Sequence, residues 1–182
     1  LAHRRARGRT GPTYESIATR QYRNGRTEAM RVVTPEVVTF VAAMDDPASS
    51  HAVKVAALRA AAQTHVARVR SCQAGDAPEQ HLWELQLIQQ REGGELDAAG
   101  SLALYDSPGW VTMRADDLST SSAPSTHIQY FGFGSTSATC IGVAYVLLPD
   151  RLKLYLSAPR VVEDELHAFA GQVRVALAEV AE

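Results

Sequence analysis

Two cysteines in 182 residues are too few for a disulfide framework. Cys72 and Cys140 have no metal-type spacing, so they are expected as reduced, partly buried thiols. No apolar run approaches the roughly 20 residues of a membrane span, and none has the form of a signal-peptide core. The formal net charge of -2 gives no excess of either sign to draw the chain to nucleic acid or to an anionic membrane. No internal repeat or low-complexity tract occurs. The chain starts at Leu1 rather than Met, which leads to the expectation of further sequence upstream.

What is present suits a packed domain: 46% of residues are hydrophobic and 21% charged. Residues 1–12 are rich in arginine. With balanced charge elsewhere, they read as a helix end running into a Gly/Pro loop rather than as a nucleic-acid arm. TYESIAT at 13–19 has strand character, and Asn24-Gly25 marks a turn.

Three helices follow. Thr34 and Pro35 form a cap and first position for a helix to about Met44. Ser49 or Ser50 starts the next, which runs to about Ala74 with Val55, Leu58, Ala62, Val66 and Val69 as its expected buried face. The third starts near Pro78, carries Leu82, Leu85 and Ile88 as an apolar stripe, and stops at Gly93-Gly94. SLALY at 101–105 suits one short helix more.

After Pro108 the period changes to that of strands. WVTMRADDLSTS, HIQYFGF, CIGVAYVLL and RLKLYLSA read as four of them, with CIGVAYVLL at the sheet's centre and Pro149-Asp150 as a hairpin turn. A final helix over about 161–181 is expected to bury Leu166, Phe169, Ala170, Val173 and Leu177. The sum is an α/β layered fold, a mixed sheet packed with helices.

Generic catalytic signatures are missing. None of the six histidines has an Asp or Glu four residues on, as an HxxxD motif requires. HExxH, GxSxG and phosphate-loop patterns do not occur. GFGSTS at 132–137 reads as a loop between strands. The hydroxyl run Ser119-Thr120-Ser121-Ser122 can be a serine-rich loop or a set of donors aimed at a ligand or a developing oxyanion.

TYES at 13–16 followed by GRTEAMR at 25–31 resembles the signature of the carnitine/choline acyltransferase family. GDAPEQHLWEL at 75–85, DDLSTS at 116–121, YFGFG at 130–134 and GVAY at 142–145 resemble further motifs of that family, in family order. The resemblance implies a chloramphenicol-acetyltransferase-like layered fold. It implies coenzyme A or acyl-CoA as co-substrate, with no bound cofactor and no metal, and carnitine or choline as the acyl acceptor. The family's general base is a histidine in an N-terminal domain. Residues 1–182 therefore read as a single C-terminal, substrate-binding segment, with that N-terminal domain as its missing partner and no activity expected alone.

By the resemblance, Ser121 donates to the tetrahedral oxyanion, and Ser119 contacts the alcohol. Tyr14 and Thr27 face the carnitine carboxylate, while Phe131 packs near the quaternary ammonium. Glu15 and Ser16 lie where coenzyme A approaches. Gln129 stands at the acyl tunnel, where a bulky residue favours short acyl groups. Gln80 replaces the family's carboxylate-binding arginine, keeping a hydrogen bond without the charge. That neutral residue points toward choline, whereas Thr27 is of the carnitine type.

The leading expectation is transfer of a short acyl group between acyl-CoA and carnitine or a carnitine-like alcohol. The alternatives are choline O-acetyltransferase-like specificity and a non-catalytic binding domain of truncated acyltransferase fold. The family works in mitochondria, peroxisomes or cytoplasm. Val180-Ala181-Glu182 is not a peroxisomal Ser-Lys-Leu signal.

Overall fold

The computed structural model describes residues 1–92 and 101–182. Five strands form one mixed sheet in the order β2-β1-β3-β4-β5. They are β1 (Thr13–Ala18), β2 (Thr27–Met30), β3 (Leu118–Ser122), β4 (Ile141–Leu147) and β5 (Leu152–Ser157). The outer pairs β1–β2 and β4–β5 are antiparallel hairpins, and β3 runs parallel to both β1 and β4. Parallel pairing needs long crossovers. The β2-to-β3 connection holds α2 (Pro35–Asp45), α3 (His51–Gln73), α4 (Glu79–Glu92) and α5 (Pro108–Arg114). The chain opens with α1 (Ala2–Arg7) and closes with α6 (Glu163–Ala181).

The helix starts follow their capping residues. Thr34 Oγ1 accepts from Val37 N at 3.3 Å, Ser50 Oγ from Val53 N at 3.4 Å and Ser107 Oγ from Trp110 N at 3.2 Å. Gly8 ends α1 in the left-handed region at φ 69°, where a side chain would be strained.

The core lies on one face of the sheet. At the β1–β2 end, Ile17 and Met30 pack against Cys72 of α3. At the β4 end, Ile141 and Val143 pack against Phe169 of α6. Both thiols are free and buried, as expected, and burial raises each above its ordinary pKa.

Of the arginines of residues 4–9, Arg5 and Arg7 turn inward, while Arg4 and Arg9 stay about half exposed. Arg5 pairs with Asp45 and Glu179 at 2.9 and 2.8 Å. Arg7, its side chain 4% exposed, donates to Asp117 at 3.2 Å and to the Thr139 carbonyl at 2.7 Å, and forms an ion pair with Glu165 at 2.6 Å. Arg9 also bonds Asp117. Asp117 is itself 4% exposed, and its backbone joins Pro12 to Ile141. A Cβ at Gly11 would fall 1.6 Å from Asp117 Oδ2, so only glycine lets the chain pass that carboxylate.

Several elements differ from the sequence reading. Residues 108–114 are helical, because the Ser107 cap and Pro108 act as a helix start, and only Leu118–Ser122 of that stretch is strand. HIQYFGF is not a strand. It crosses β4–β5 as coil, and Gly132 sits where a Cβ would meet Tyr155 at 2.5 Å. The unannounced strand β2 is only four residues long and holds a buried glutamate, Glu28. β4 is interior, but the central place belongs to β3.

Three apolar stripes are placed differently. On α3 the buried residues are Ala61 and Cys72, while Ala62 and Val66 face solvent, because α3 meets the strands chiefly through its C-terminal end. On α4, Leu85 and Ile88 are exposed. On α6, Leu177 is exposed and Ala176 takes its place. The Gly93-Gly94 stop lies outside the described residues. Residues 101–104 form a single 3-10 turn.

Candidate functional site

Strand pleating assigns each site residue to a face. Tyr14 lies opposite Ser119 across β1–β3, Ser16 opposite Ala29 and Ala18 opposite Thr27 across β1–β2. Tyr14, Ser16, Thr27, Ser119 and Ser121 therefore share the face opposite Ile17, Met30, Ile141 and Val143, which pack on α3 and α6. Over β4–β5 that face is covered by the segment around Phe133, whose carbonyl accepts from Ser157 Oγ at 2.7 Å. Over β1–β3 it bears hydroxyls.

Pairing of β1 with β3 stops at Glu15↔Thr120. Beyond that rung the two strands part and leave an open cleft of about 500 Å³, walled by Ser16, Thr27, Ser121 and Ser122, with Arg20 and Gln73 at its rim. Ser16 Oγ and Ser121 Oγ face each other at 3.5 Å. Burial raises the Tyr14 phenol's pKa, and the neighbouring Ser16 and Thr27 hydroxyls work against the rise. Ser121 is half-buried, whereas Ser119, one pleat deeper, is 2% exposed.

Behind Tyr14 stands a charged cluster. The Arg31 guanidinium lies 6.0 Å from the Tyr14 ring centre and bonds the carboxylates of Glu79 and Asp116. Burial works against its charge, but those carboxylates outweigh it and raise its pKa. Arg114 joins Glu79 at 3.1 Å. The cluster fixes the start of α4 against the end of β2.

The remaining expected site residues lie elsewhere. Gln80 gives its main-chain N–H to Glu28 at 3.2 Å, and its side chain turns along α4 to Glu84 at 3.3 Å, away from the cleft wall. Phe131 and Phe133 lie with ring centres 6.5 Å apart, tilted by 37°, in the covering segment. Gln129 is exposed and meets Lys153 at 3.4 Å. Glu15 lines the cleft, yet both its oxygens are engaged, by Thr120 at 2.8 Å and Tyr145 at 2.6 Å. Tyr145, Arg31, Glu79 and Asp116 were given no role by sequence reasoning. The signal for them was charge and hydroxyl chemistry placed inside otherwise apolar or strand-forming stretches.

No histidine lines this cleft. Among the described residues no cluster of His, Cys, Asp or Glu could hold a metal, and no helix is long and apolar enough to cross a membrane. The parted strand ends bring hydroxyls to one opening, where they can donate to an oxygen-bearing group.

Comparison with known proteins gives the class. The family model described as choline/carnitine O-acyltransferase matches residues 1–174, and the chain belongs to that family. It is 31% identical to human carnitine O-acetyltransferase over 158 residues, 87% of this chain and 24% of that protein. It is 30% identical to carnitine O-acetyltransferase of Columba livia over 158 residues, again 87% of this chain and 24% of that protein. To the muscle isoform of human carnitine O-palmitoyltransferase 1 it is 29% identical over 197 aligned positions, 100% of this chain and 24% of that protein. The chain thus spans about a quarter of the length of the curated relatives it matches.

Proposed function

We propose that this chain is the alcohol-binding and oxyanion-stabilising segment of a coenzyme A-dependent O-acyltransferase that moves a short acyl group between acyl-CoA and carnitine or a carnitine-like alcohol. Its sheet is read as one layer of a chloramphenicol-acetyltransferase-like fold, and the general base as a histidine contributed by an N-terminal domain. The observation that carries the reading is the alignment of Tyr14, Ser16, Thr27 and Ser121 hydroxyls on one sheet face, with Ser16 and Ser121 3.5 Å apart where β1 and β3 part.

In this reading attack of the alcohol oxygen on the thioester carbonyl places negative charge on the carbonyl oxygen. Ser121 donates to it from a fixed strand end, so little reorganisation is needed as the charge forms. Tyr14 and Thr27 hold the carboxylate of the alcohol substrate, with Ser119 beneath it and Phe131 toward the ammonium. Ser16 lies on the side from which acyl-CoA enters. Gln129 limits the acyl chain.

Gln80 favours a second specificity. A neutral side chain gives up the charge-assisted bond to a carboxylate, roughly 1.5–3 kcal/mol, which an alcohol without a carboxylate does not need. The test is release of free coenzyme A from acetyl-CoA by the product of the full-length reading frame, with carnitine and choline side by side. Release with carnitine supports the first specificity. Release with choline alone assigns the second, and Gln80→Arg then shifts preference toward carnitine. No release with either, from folded protein that contains an upstream histidine, moves the reading to a non-catalytic binding domain.

A further inference from the structure

Glu15, Thr120 and Tyr145 come from three neighbouring strands and share the helix-bearing face, behind the hydroxyl wall. Glu15 Oε2 accepts from Thr120 Oγ1 at 2.8 Å, and Oε1 accepts from Tyr145 OH at 2.6 Å. Such charge-assisted bonds are short and strong for their kind. Thr120 Oγ1 also reaches the Tyr14 carbonyl at 3.5 Å. One carboxylate therefore ties β1 to β3 and to β4.

Its place along the strands matters. Glu15↔Thr120 is the last paired rung of β1–β3, and the next residue on each strand is Ser16 and Ser121. Whatever fixes this rung fixes the start of the gap across which those two hydroxyls face each other. Burial and the Glu15 bond push the Tyr145 phenol up to about 12, so it remains a donor across neutral pH.

We infer that Tyr145, Glu15 and Thr120 form a positioning clamp that sets the Ser16–Ser121 separation, so that Tyr145 and Glu15 act through those serines and not by touching acyl-CoA. The inference rests on the acyl-transfer reading above and gives Glu15 a role other than contact with coenzyme A.

The test is steady-state kinetics of the full-length protein carrying Tyr145→Phe, Glu15→Gln or both. The clamp predicts that each single variant lowers kcat about ten- to hundred-fold, because a displaced donor misses the developing charge. KM for acyl-CoA and for the alcohol stays within about twofold. The double variant is no slower than the slower single, since both remove one device. Thr120→Ser, which keeps the hydroxyl, holds kcat near wild type.

A raised KM for acyl-CoA in Glu15→Gln but not in Tyr145→Phe overturns the inference in favour of a coenzyme A contact. An unchanged kcat in both overturns it outright. Should the wild-type protein transfer no acyl group, that failure belongs to the functional reading, and the clamp is then read by amide hydrogen exchange. Faster exchange over 13–18 and 118–122 in Tyr145→Phe, with 163–181 unchanged, supports it, and equal exchange overturns it.

Discussion

The two ends of the sheet face turned away from α3 and α6 are treated in opposite ways. Over β4–β5, a glycine-containing coil presses on the strands, with Gly132 against Tyr155 and the Phe133 carbonyl held by Ser157. Over β1–β3, hydroxyls stand at a cleft. Both ends belong to one sheet, but β4–β5 pairs along its whole length while β1–β3 stops at Glu15↔Thr120, and the strands part there. Side chains add to it: β3 places the small hydroxyls Ser119 and Ser121 on this face, while Gly142 on β4 makes room for the Phe133 ring. A close-packed surface beside an open polar one separates stability from chemistry on the same face.

That separation can be broken at named points. The largest effect is expected at the anchor that holds the N-terminal segment to β3. Asp117→Ala takes from buried Arg7 one of its two carboxylates, leaving Glu165, and removes Arg9's partner as well, at a cost of about 3 kcal/mol, read as a lower urea midpoint with the m-value unchanged. Gly132→Ala puts a Cβ 2.5 Å from the Tyr155 ring, which is 53% exposed and can turn aside, so it costs no more than about 1 kcal/mol, with no loss at the cleft hydroxyls.

The last effect is in the pH dependence of stability. Burial, then the nearby Arg7 charge, lowers His3 from its ordinary 6.5 to about 4. The unfolded chain takes up a proton below 6.5 that the folded chain takes up only near 4. Stability from this group is therefore present above pH 6.5 and is lost as pH falls from 6.5 toward 4. Thermal unfolding of His3→Phe should lose part of that slope.

The sequence made parts of this legible and hid others for physical reasons. Thr34-Pro35, Ser50 and Pro149-Asp150 act locally, through caps and a tight turn, and so could be read locally. The stripes on α3, α4 and α6 are misplaced by a residue or left facing solvent, because burial depends on which length of each helix meets the sheet. HIQYFGF has strand-forming residues, but Gly132 and the contact with Tyr155 decide its path. Tyr14, Thr27, Ser119 and Ser121 were legible as candidates from their motifs, and the register brings them to one face. The Glu15–Tyr145 bond spans 130 residues of sequence and needed three strands in register before it could be seen.

The most direct test of the central claim is kcat for coenzyme A release from acetyl-CoA by the full-length protein, wild type against Ser121→Ala, at saturating alcohol. If the cleft hydroxyls stabilise the oxyanion, the variant loses about 100-fold or more, near 3 kcal/mol of barrier, while KM moves little. A Ser121→Ala protein that is folded and turns over at the wild-type rate would contradict the account.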